Sequence, residues 1–464
     1  MTINYDAVII GAGQAGPPLA VRLAGAGRKV AIVERNQFGG TCVNTGCIPT
    51  KTLIASARVA HMARRAMEYG VGIDSSITVD MKRVKERKDG IVRSSNEGLE
   101  KWLRGTENLT VYKGHARFEG PRQLRIADQL IEADQIFINV GARANVPPLP
   151  GLDQVSYFNN STMMKVDFVP EHLIVVGGSY VGLEFGQMYR RFGSEVTIVE
   201  MGPRLVRRED EDVSEAIREI LENESIHIRL DAECIALEKQ GDKVAVDLNC
   251  STGDKKVIGS HLLLAVGRVP NTDDLGLDKA GVAVDQRGYV QVDDQLCTNV
   301  PGIYALGDCN GRGAFTHTSY NDYEIVAGNL LDNDKRRVSD RITAYALYTD
   351  PPLGRAGMTE SAVRKAGRKA LMATRPMTRV GRAVEKGETQ GFMKILVDED
   401  TKEILGASLL GIECDEVIHS ILDVMYAKAP YTVIQRAMHI HPTITELIPT
   451  LLGELKPLDP SMNS

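Results

Sequence analysis

The sequence is short of aromatic residues, of long apolar runs and of any dominant charge. Phe, Trp and Tyr make up 5% of its 464 residues, and 55 basic residues stand against 61 acidic ones, a net charge of −6. No apolar run approaches the roughly 20 residues that a membrane-spanning helix needs. The near balance of charge gives no reason to expect nucleic acid. We therefore expect neither a membrane nor a nucleic acid as a partner.

Cysteine is also scarce, and its spacing is uneven. Cys42 and Cys47 lie five positions apart, and the other cysteines are scattered along the chain. An odd total of seven, distributed in this way, favours one functional pair among reduced bystanders over a disulfide framework. The chain enters a strand-like stretch at Ala7 with no signal peptide before it, so we expect a cytoplasmic protein. The bystanders are Cys234, Cys250, Cys297, Cys309 and Cys414.

The motif around the pair is GGTCVNTGCIPTK, residues 39–51. A tight loop can bring Cys42 and Cys47 together, because Gly46 permits a close approach of the chain. Residues 52–69 predict a helix, and the positive end of a helix favours the thiolate of Cys47. We favour redox activity. The alternatives are a structural disulfide, which is rare in a cytoplasmic chain, and half of a zinc site, for which no second Cys/His pair stands out.

The chain opens with a dinucleotide-binding fingerprint. Residues 6–10 predict a strand, a helix follows to about residue 24, and residues 29–33 predict a second strand. Three glycines between strand and helix suit a tight turn, the approach of a pyrophosphate and close helix packing, and an acid after the second strand is placed for ribose hydroxyls. The four residues are Gly11, Gly13, Gly16 and Glu34.

The same unit recurs 166 residues later. Residues 173–176 and 195–199 predict strands, and in both copies 23 positions separate the first glycine from the acid. Ser179 replaces the middle glycine, a change that we expect the site to tolerate. The duplication predicts two bound nucleotides. The residues of the second copy are Gly177, Ser179, Gly182 and Glu200.

Near the C-terminus, a histidine and an acid lie five positions apart. Pro442 suits the first turn of a helix, which would hold His441 at its mouth. Glu446 could fix the tautomer of the His441 imidazole and raise its basicity. We favour an acid–base pair over a structural histidine.

Taken together, these motifs resemble those of the FAD-dependent pyridine nucleotide-disulfide oxidoreductases. The group includes dihydrolipoyl dehydrogenase, glutathione reductase and the catalytic core of mercuric reductase. The resemblance implies that NAD(P)H reduces the flavin and that the flavin reduces a Cys42–Cys47 disulfide, with Cys47 against the flavin and Cys42 meeting the substrate. It also implies an ion pair beside the flavin ring, formed by Lys51 and Glu184.

The resemblance implies an α/β fold with two Rossmann-like dinucleotide-binding domains and a C-terminal α+β interface domain. Residues 1–147 and 272–341 would form the FAD-binding domain, residues 148–271 the NAD(P)-binding domain, and residues 342–464 the interface domain. By the same resemblance, the interface domain would make a homodimer in which His441 and Glu446 reach the cysteine pair of the other subunit. Within it, residues 392–397 and 405–410 predict a pair of strands.

The resemblance also assigns the nucleotides, FAD to the first fingerprint and NAD(P)H to the second. Glu200 favours NADH, since a carboxylate accepts from a 2′-hydroxyl and repels a 2′-phosphate, although Arg204, Arg207 and Arg208 could offset it. No resident metal is expected. The FAD-binding residues are Gly11, Gly13, Gly16, Glu34, Gly40, Thr41, Lys51, Gly141 and Asp308. The NAD(P)-binding residues are Gly177, Ser179, Gly182, Glu200 and Gly267.

The final acceptor is left open by the sequence. Residues 39–51 are closest to the mercuric reductase motif, but no cysteine follows Cys414 to form a C-terminal metal-transfer pair, and His441 is retained. FTHTSYNDYEIV (residues 315–326) and PPLGRAGMTE (residues 351–360) resemble the reactive-chlorine-resistance flavoproteins, which are mercuric-reductase-like and reduce metal ions such as copper(II). We rank a mercuric-reductase-like metal-ion or disulfide reductase first, dihydrolipoyl dehydrogenase second, and a flavin-based redox sensor third.

Overall fold

The computed structural model describes residues 2–250 and 253–458. The described residues leave out Met1, residues 251–252 and residues 459–464. The predicted division assigns these to the FAD-binding, NAD(P)-binding and interface domains, in that order. The predicted α/β fold, with two Rossmann-like sheets and a separate C-terminal sheet, is confirmed. Within the described part of the chain, no helix combines the length and the apolar character of a membrane span.

The strands and helices are numbered along the chain. The strands are β1 (Thr2–Ile10), β2 (Val30–Glu34), β3 (Leu109–Lys113), β4 (Ala116–Gly120), β5 (Gln123–Ile126), β6 (Gln129–Ile138), β7 (Ala142–Ala144), β8 (His172–Val176), β9 (Glu195–Val199), β10 (His227–Arg229), β11 (Ala232–Gln240), β12 (Lys243–Cys250), β13 (Lys256–Gly259), β14 (His261–Leu264), β15 (Arg268–Pro270), β16 (Ile303–Ala305), β17 (Ala344–Leu347), β18 (Leu353–Gly357), β19 (Ala370–Pro376), β20 (Phe392–Asp398), β21 (Ile404–Leu410) and β22 (Lys456–Pro457). The helices are α1 (Gly16–Gly25), α2 (Gly40–Asn44), α3 (Cys47–Arg64), α4 (Met81–Arg104), α5 (Asn160–Met163), α6 (Tyr180–Phe192), α7 (Glu211–Asn223), α8 (Leu277–Ala280), α9 (Thr316–Leu331), α10 (Glu360–Lys365), α11 (Gly381–Glu385), α12 (Cys414–Tyr426), α13 (Thr432–Gln435) and α14 (Leu447–Gly453).

Two parallel sheets repeat the same strand order. The first runs β3-β2-β1-β6, with β16 also parallel to β6 and the β4–β5 hairpin antiparallel beside it. The second runs β10-β9-β8-β14, all parallel. Every residue of β2 is buried, as expected for an apolar strand covered on both faces. In such sheets ligands bind beyond the carboxyl ends of the strands, where both fingerprints begin.

The C-terminal sheet is antiparallel, in the order β17-β18-β21-β20-β19-β22. Strands β20 and β21 pair around a tight turn, which confirms the predicted pair. Helices α12 and α14 pack on this sheet, and their buried apolar residues form one core with it.

Three predicted elements were wrong in their boundaries. Helix α3 begins at Cys47 rather than near residue 52 and ends at Arg64. The family resemblance also implies a strand over residues 298–308 that ends at Asp308; strand β16 instead stops at Ala305, because Gly307 adopts a left-handed conformation that no strand continues. No helix begins at Pro442: the Thr443 hydroxyl donates to the Ile440 carbonyl and accepts from the Glu446 amide, which closes a turn instead, and α14 starts at residue 447.

Candidate active site

A cavity of about 1430 Å³ gathers most of the predicted site residues. Those on its wall are Gly11, Gly13, Glu34, Gly40, Thr41, Cys42, Cys47, Lys51, Gly141, Glu184 and Asp308. The structure does not bring the others to this wall. They are Gly16, Gly177, Ser179, Gly182, Glu200, Gly267, His441 and Glu446.

The two cysteines meet where α2 ends and α3 begins. Cys42 lies within α2, and Cys47 is the first residue of α3. Gly46 is required between them, since a β-carbon there would lie 2.9 Å from the Thr41 carbonyl oxygen. The Asn44 side-chain amide stabilises the loop by donating a hydrogen bond to the Gly40 carbonyl oxygen at 2.9 Å. Both cysteines are free thiols, with Cys47 exposed toward the cavity and Cys42 half-buried.

The surroundings of the pair favour one thiolate over the other. A hydrogen bond from the Cys42 thiol, aided by the Thr316 hydroxyl and the Lys51 ammonium, lowers the pKa of Cys47 to about 6 against the opposing effect of burial. The Thr316 Oγ1 atom lies 3.1 Å from the Cys47 Sγ atom. The same hydrogen bond, with burial, raises the pKa of Cys42. At neutral pH, Cys47 is therefore the thiolate of a reduced pair and Cys42 the thiol.

Lys51 and Glu184 form an ion pair on the cavity wall. The Lys51 Nζ atom lies 2.7 Å from Glu184 Oε2. Lys51 is one helical turn beyond Cys47 on α3, and Glu184 is on α6, so the pair joins the helix of the cysteine motif to the helix of the second fingerprint. The Glu184 side chain is 8% exposed, which requires that its charge be paired.

The first fingerprint forms a closed turn. A β-carbon on Gly11 would lie 2.3 Å from the Asn139 carbonyl oxygen, and one on Gly16 would lie 2.3 Å from the Gly11 carbonyl oxygen. Gly13 meets nothing closer than 3.4 Å. The Glu34 carboxylate accepts hydrogen bonds from the Ala12 amide at 2.9 Å and from the Asn36 amide at 2.7 Å. The turn thus fixes this carboxylate on the cavity wall.

The second fingerprint repeats this geometry. A β-carbon on Gly182 would lie 1.9 Å from the Gly177 carbonyl oxygen. Glu200 accepts from the amides of Gly178 and Gly202 at 2.7 and 2.8 Å, the residues that correspond to the donors to Glu34. Ser179 stands where the first copy leaves room for a side chain, which explains how the turn accommodates it.

Asp308 lines the same cavity from a short turn at residues 307–310. Burial raises the pKa of its carboxyl, and the Arg268 guanidinium, whose Nε lies 3.6 Å from Asp308 Oδ2, opposes that effect. Gly141 and Gly267 adopt left-handed conformations at the two crossings between the first and second sheets, beside the β7–β15 pair.

His441 and Glu446 form the predicted pair, away from the cavity. The His441 Nδ1 atom lies 3.0 and 3.1 Å from the two Glu446 oxygens. The His441 side chain is 81% exposed. Its neighbours Met438 and Ile440 are 100% and 79% exposed, an arrangement that is unfavourable for apolar residues unless another surface covers them.

Three cavity residues were not found from the sequence. Thr316 contacts Cys47, the Tyr348 ring lies against the Lys51 ammonium, and Asn139 donates to the Gly11 carbonyl at 3.0 Å. The resemblance of residues 315–326 pointed to the segment that holds Thr316. No local signal marked Tyr348, which lies 297 residues after Lys51 in the chain.

Comparison with known proteins places this geometry in a family. Residues 5–322 match the pyridine nucleotide-disulphide oxidoreductase family, and residues 343–452 match its dimerisation domain. The chain is 36% identical over 461 residues to the probable pyridine nucleotide-disulfide oxidoreductase RclA of Escherichia coli K12, covering 98% of this chain and 100% of that protein. It is 33% identical to the dihydrolipoyl dehydrogenase of Thermus scotoductus, covering 96% and 95% of the two chains.

A solved structure shows the same fold. The Cu(II) complex of the HOCl-induced flavoprotein disulfide reductase RclA from Escherichia coli matches with a TM-score of 0.89 and 35% identity, covering 98% of this chain and 99% of that chain. The mercuric reductase of Bacillus cereus is 31% identical, and the match covers 90% of this chain and 66% of that protein. The protein is therefore an enzyme that belongs to the FAD- and NAD(P)H-dependent pyridine nucleotide-disulfide oxidoreductase family.

Proposed function

We propose that this protein oxidises NADH and delivers the electrons at the Cys42–Cys47 pair to a soft metal ion, such as copper(II) or mercury(II), or to a disulfide. The observation that supports this most directly is the asymmetry of the pair, with a Cys47 pKa lowered to about 6 on the wall of a large cavity. The similarity to a protein solved as a Cu(II) complex favours copper(II).

The residues of the cavity fit FAD. The first fingerprint is too tight for any side chain at Gly11 or Gly16, so its backbone can approach a pyrophosphate closely. We assign the Glu34 carboxylate, which the turn holds on the cavity wall, to a ribose of FAD, and Asp308 on the same wall to its ribityl chain. When bound, FAD supplies the two-electron chemistry that links a nicotinamide to the cysteines. We assign Gly11, Gly13, Gly16, Glu34, Gly40, Thr41, Lys51, Gly141 and Asp308 to its binding.

At the cysteine pair, the Cys47 thiolate and the Cys42 thiol lose two electrons and one proton and form a disulfide. The two electrons reduce two copper(II) ions to copper(I) or one mercury(II) ion to the metal. Thiolates bind mercury(II) and the copper(I) product well. Among residues 2–250 and 253–458, no group of three His, Cys, Asp or Glu side chains is arranged to hold a metal, so the acceptor would meet the cysteines themselves.

We assign proton transfer at Cys42 to His441 and Glu446 of the other subunit in a homodimer. The matched dimerisation domain includes both residues. Glu446 accepts from His441 Nδ1, which leaves Nε2 to accept or donate a proton elsewhere. The exposed side chains of Met438 and Ile440 flank this histidine, so a subunit contact there would bury apolar area as it delivers the imidazole.

We propose NADH as the reductant, bound by Gly177, Ser179, Gly182, Glu200 and Gly267. Glu200 receives the same two backbone hydrogen bonds as Glu34. FAD carries a free ribose diol on its adenosine, so the arrangement at Glu34 is one suited to hydroxyl groups. The equivalent arrangement at Glu200 should select a 2′-hydroxyl over a 2′-phosphate.

We propose residues 1–147 with 272–341 as the FAD-binding domain, residues 148–271 as the NAD(P)-binding domain and residues 342–464 as the interface domain.

Steady-state NADH oxidation with a panel of acceptors tests the proposal. The panel holds copper(II), mercury(II) with excess thiol, lipoamide and glutathione disulfide, each measured with the wild type and with Cys47→Ser. We expect turnover of a metal ion that Cys47→Ser abolishes. A Cys47→Ser enzyme that reduces the metal at the wild-type rate would show that the pair is not on the path.

Dihydrolipoyl dehydrogenase is the second candidate, because His441 and Glu446 suit a dithiol substrate and the dihydrolipoyl dehydrogenase of Thermus scotoductus is 33% identical. Rapid turnover of lipoamide alone in the same panel would establish it. Absence of turnover with every acceptor would favour a redox sensor over both enzymes.

A further inference from the structure

The segment at residues 348–350 is held against α6 by a row of polar side chains. Glu184, Gln187 and Arg191 lie on one face of that helix. Glu184 Oε1 accepts from the Tyr348 amide at 3.1 Å, the Gln187 side chain exchanges two hydrogen bonds of 2.8 Å with the Asp350 backbone, and Arg191 donates to the Asp350 carboxylate. The position of this segment is therefore set by hydrogen bonds along its length.

Helix α3 contacts the same segment at two levels. Arg58 donates to Asp350 Oδ1 at 2.5 Å. Two turns earlier on α3, the Lys51 Nζ atom lies 4.4 Å from the centre of the Tyr348 ring. The same ammonium is 2.7 Å from Glu184 Oε2, whose other oxygen holds the Tyr348 amide. Lys51, Glu184 and Tyr348 thus form a closed set of three contacts on the cavity wall.

We propose that Tyr348 is a positioning residue for Lys51. The Tyr348 ring and Glu184 together hold the Lys51 ammonium beside Cys47. This inference rests on the proposed function for the role of Lys51. Lysine has a flexible stem of four carbons, and one carboxylate fixes its charge at one point. A ring face at 4.4 Å restricts the remaining orientations, because the ammonium is attracted to the negative face of the ring.

The aromatic face, and not the hydroxyl group, carries this role. Among the described residues the Tyr348 hydroxyl makes no hydrogen bond, while its ring lines the cavity together with Lys51, Cys47 and Glu184. Phenylalanine would keep the face, and leucine would remove it with a smaller change in shape than alanine. The two substitutions therefore separate the ring from the hydroxyl.

The test compares Tyr348→Leu and Tyr348→Phe in the FAD-loaded enzyme without any acceptor. The first readout is the midpoint potential of the flavin, and the second is the pH profile of Cys47 alkylation in the reduced enzyme. The groups that bear on the Cys47 thiol are Cys42, Thr316, Lys51 and Glu184, of which Lys51 and the two hydrogen-bond partners lower its pKa. Loss of the Tyr348 ring should therefore weaken the effect of Lys51, which is one of the three that lower the Cys47 pKa.

For Tyr348→Leu we expect the positive charge beside the flavin to stabilise its reduced form about tenfold less, which corresponds to a potential about 30 mV more negative. Cys47 alkylation at pH 6 should be about threefold slower. Tyr348→Phe should match the wild type in both. Tyr69→Leu, which removes a second cation–π pair with Arg65 outside the cavity, is the matched control and should change neither readout.

Wild-type values for Tyr348→Leu would overturn the proposal, and so would a Tyr348→Phe enzyme as altered as Tyr348→Leu, since the hydroxyl would then be responsible. If Tyr348→Leu does not fold, Tyr348→Met, which keeps more of the volume and lacks a ring, is measured in its place. Because no acceptor is present, these outcomes are independent of the acceptor panel. If no acceptor in that panel is reduced, the proposed function is refuted. The role of the contact between Tyr348 and Lys51 is still judged by the flavin potential and the Cys47 alkylation profile.

Discussion

Replacement of Thr316 by valine should raise the pKa of Cys47 by about one unit. The Thr316 hydroxyl lies 3.1 Å from the Cys47 sulfur, and after the hydrogen bond from Cys42 it is the next contribution that lowers this pKa. A hydrogen bond to a charged group contributes about 1.5–3 kcal/mol, and one pKa unit corresponds to 1.36 kcal/mol. Sulfur is a weak acceptor, so we take the lower limit of that range.

The sign follows from the direction of the shift. Cys47 has a pKa of about 6, so about half of it is thiolate at pH 6 in the wild type. With a pKa near 7, Thr316→Val would hold about a tenth of Cys47 as thiolate at pH 6. The alkylation rate at pH 6 should therefore fall about fivefold, at pH 7 about twofold, and above pH 8.5 the two enzymes should react alike.

The assay is the rate of iodoacetamide labelling of the reduced enzyme between pH 5 and 9, followed by mass spectrometry of the peptide that contains Cys47. Tyr320→Phe is the control, because it removes a hydroxyl from the next turn of α9 on the same cavity wall without contacting Cys47. A Thr316→Val profile that overlays the wild type would refute the reasoning. A rate lowered equally at every pH would indicate altered access instead of an altered pKa.

Three further predictions concern the nucleotides and the acid–base pair. Glu200→Gln should raise the ratio of kcat/KM for NADPH to that for NADH by about tenfold, because a carboxylate next to a 2′-phosphate is removed; an unchanged ratio would remove Glu200 from cofactor selection. His441→Gln should slow disulfide reduction by about 10²-fold or more and copper(II) reduction less, since both remove the proton of Cys42 but only disulfide reduction also needs a proton for its leaving thiol; equal losses would contradict this. Gly16→Ala should purify without flavin absorbance, because its β-carbon would lie 2.3 Å from the Gly11 oxygen, whereas Gly25→Ala, at the other end of α1 with nothing within 4 Å of its β-carbon, should keep it.

The parts of the site that the sequence predicted are those built from neighbouring residues. Gly11, Gly16 and Glu34 belong to one strand–turn–helix unit, and their spacing alone prescribes the turn and the acid at its end. The copy around Gly177 and Glu200 makes the same contacts, so the duplication seen in the sequence predicted a second turn with the same geometry. Local chemistry of this kind is independent of how the rest of the chain packs.

Boundaries were less predictable where polar residues compete with the backbone. Residues 47–51 are helical although they precede the apolar, alanine-rich run that indicated the helix, and Cys47, Thr50 and Lys51 of this segment line the cavity. Thr443 closes a turn with its hydroxyl where the adjacent proline had indicated the start of a helix. In both cases the hydrophobic pattern, which dominates sequence interpretation, carried no information about the segment.

The contacts that tune the chemistry could not be predicted at all from spacing, because they join residues hundreds of positions apart. Thr316 reaches Cys47 from a helix that follows the whole second sheet, and Tyr348 reaches Lys51 from the C-terminal domain. Cys47 and Lys51 are fixed by the motif, but Thr316, which a later part of the chain supplies, helps to lower the pKa of Cys47, and Tyr348 contacts the Lys51 ammonium. Two chains with the same cysteine motif can therefore differ in the reactivity of Cys47 through a single substitution at either distant position, and the acceptor of such an enzyme has to be sought in those contacts as well as in the motif.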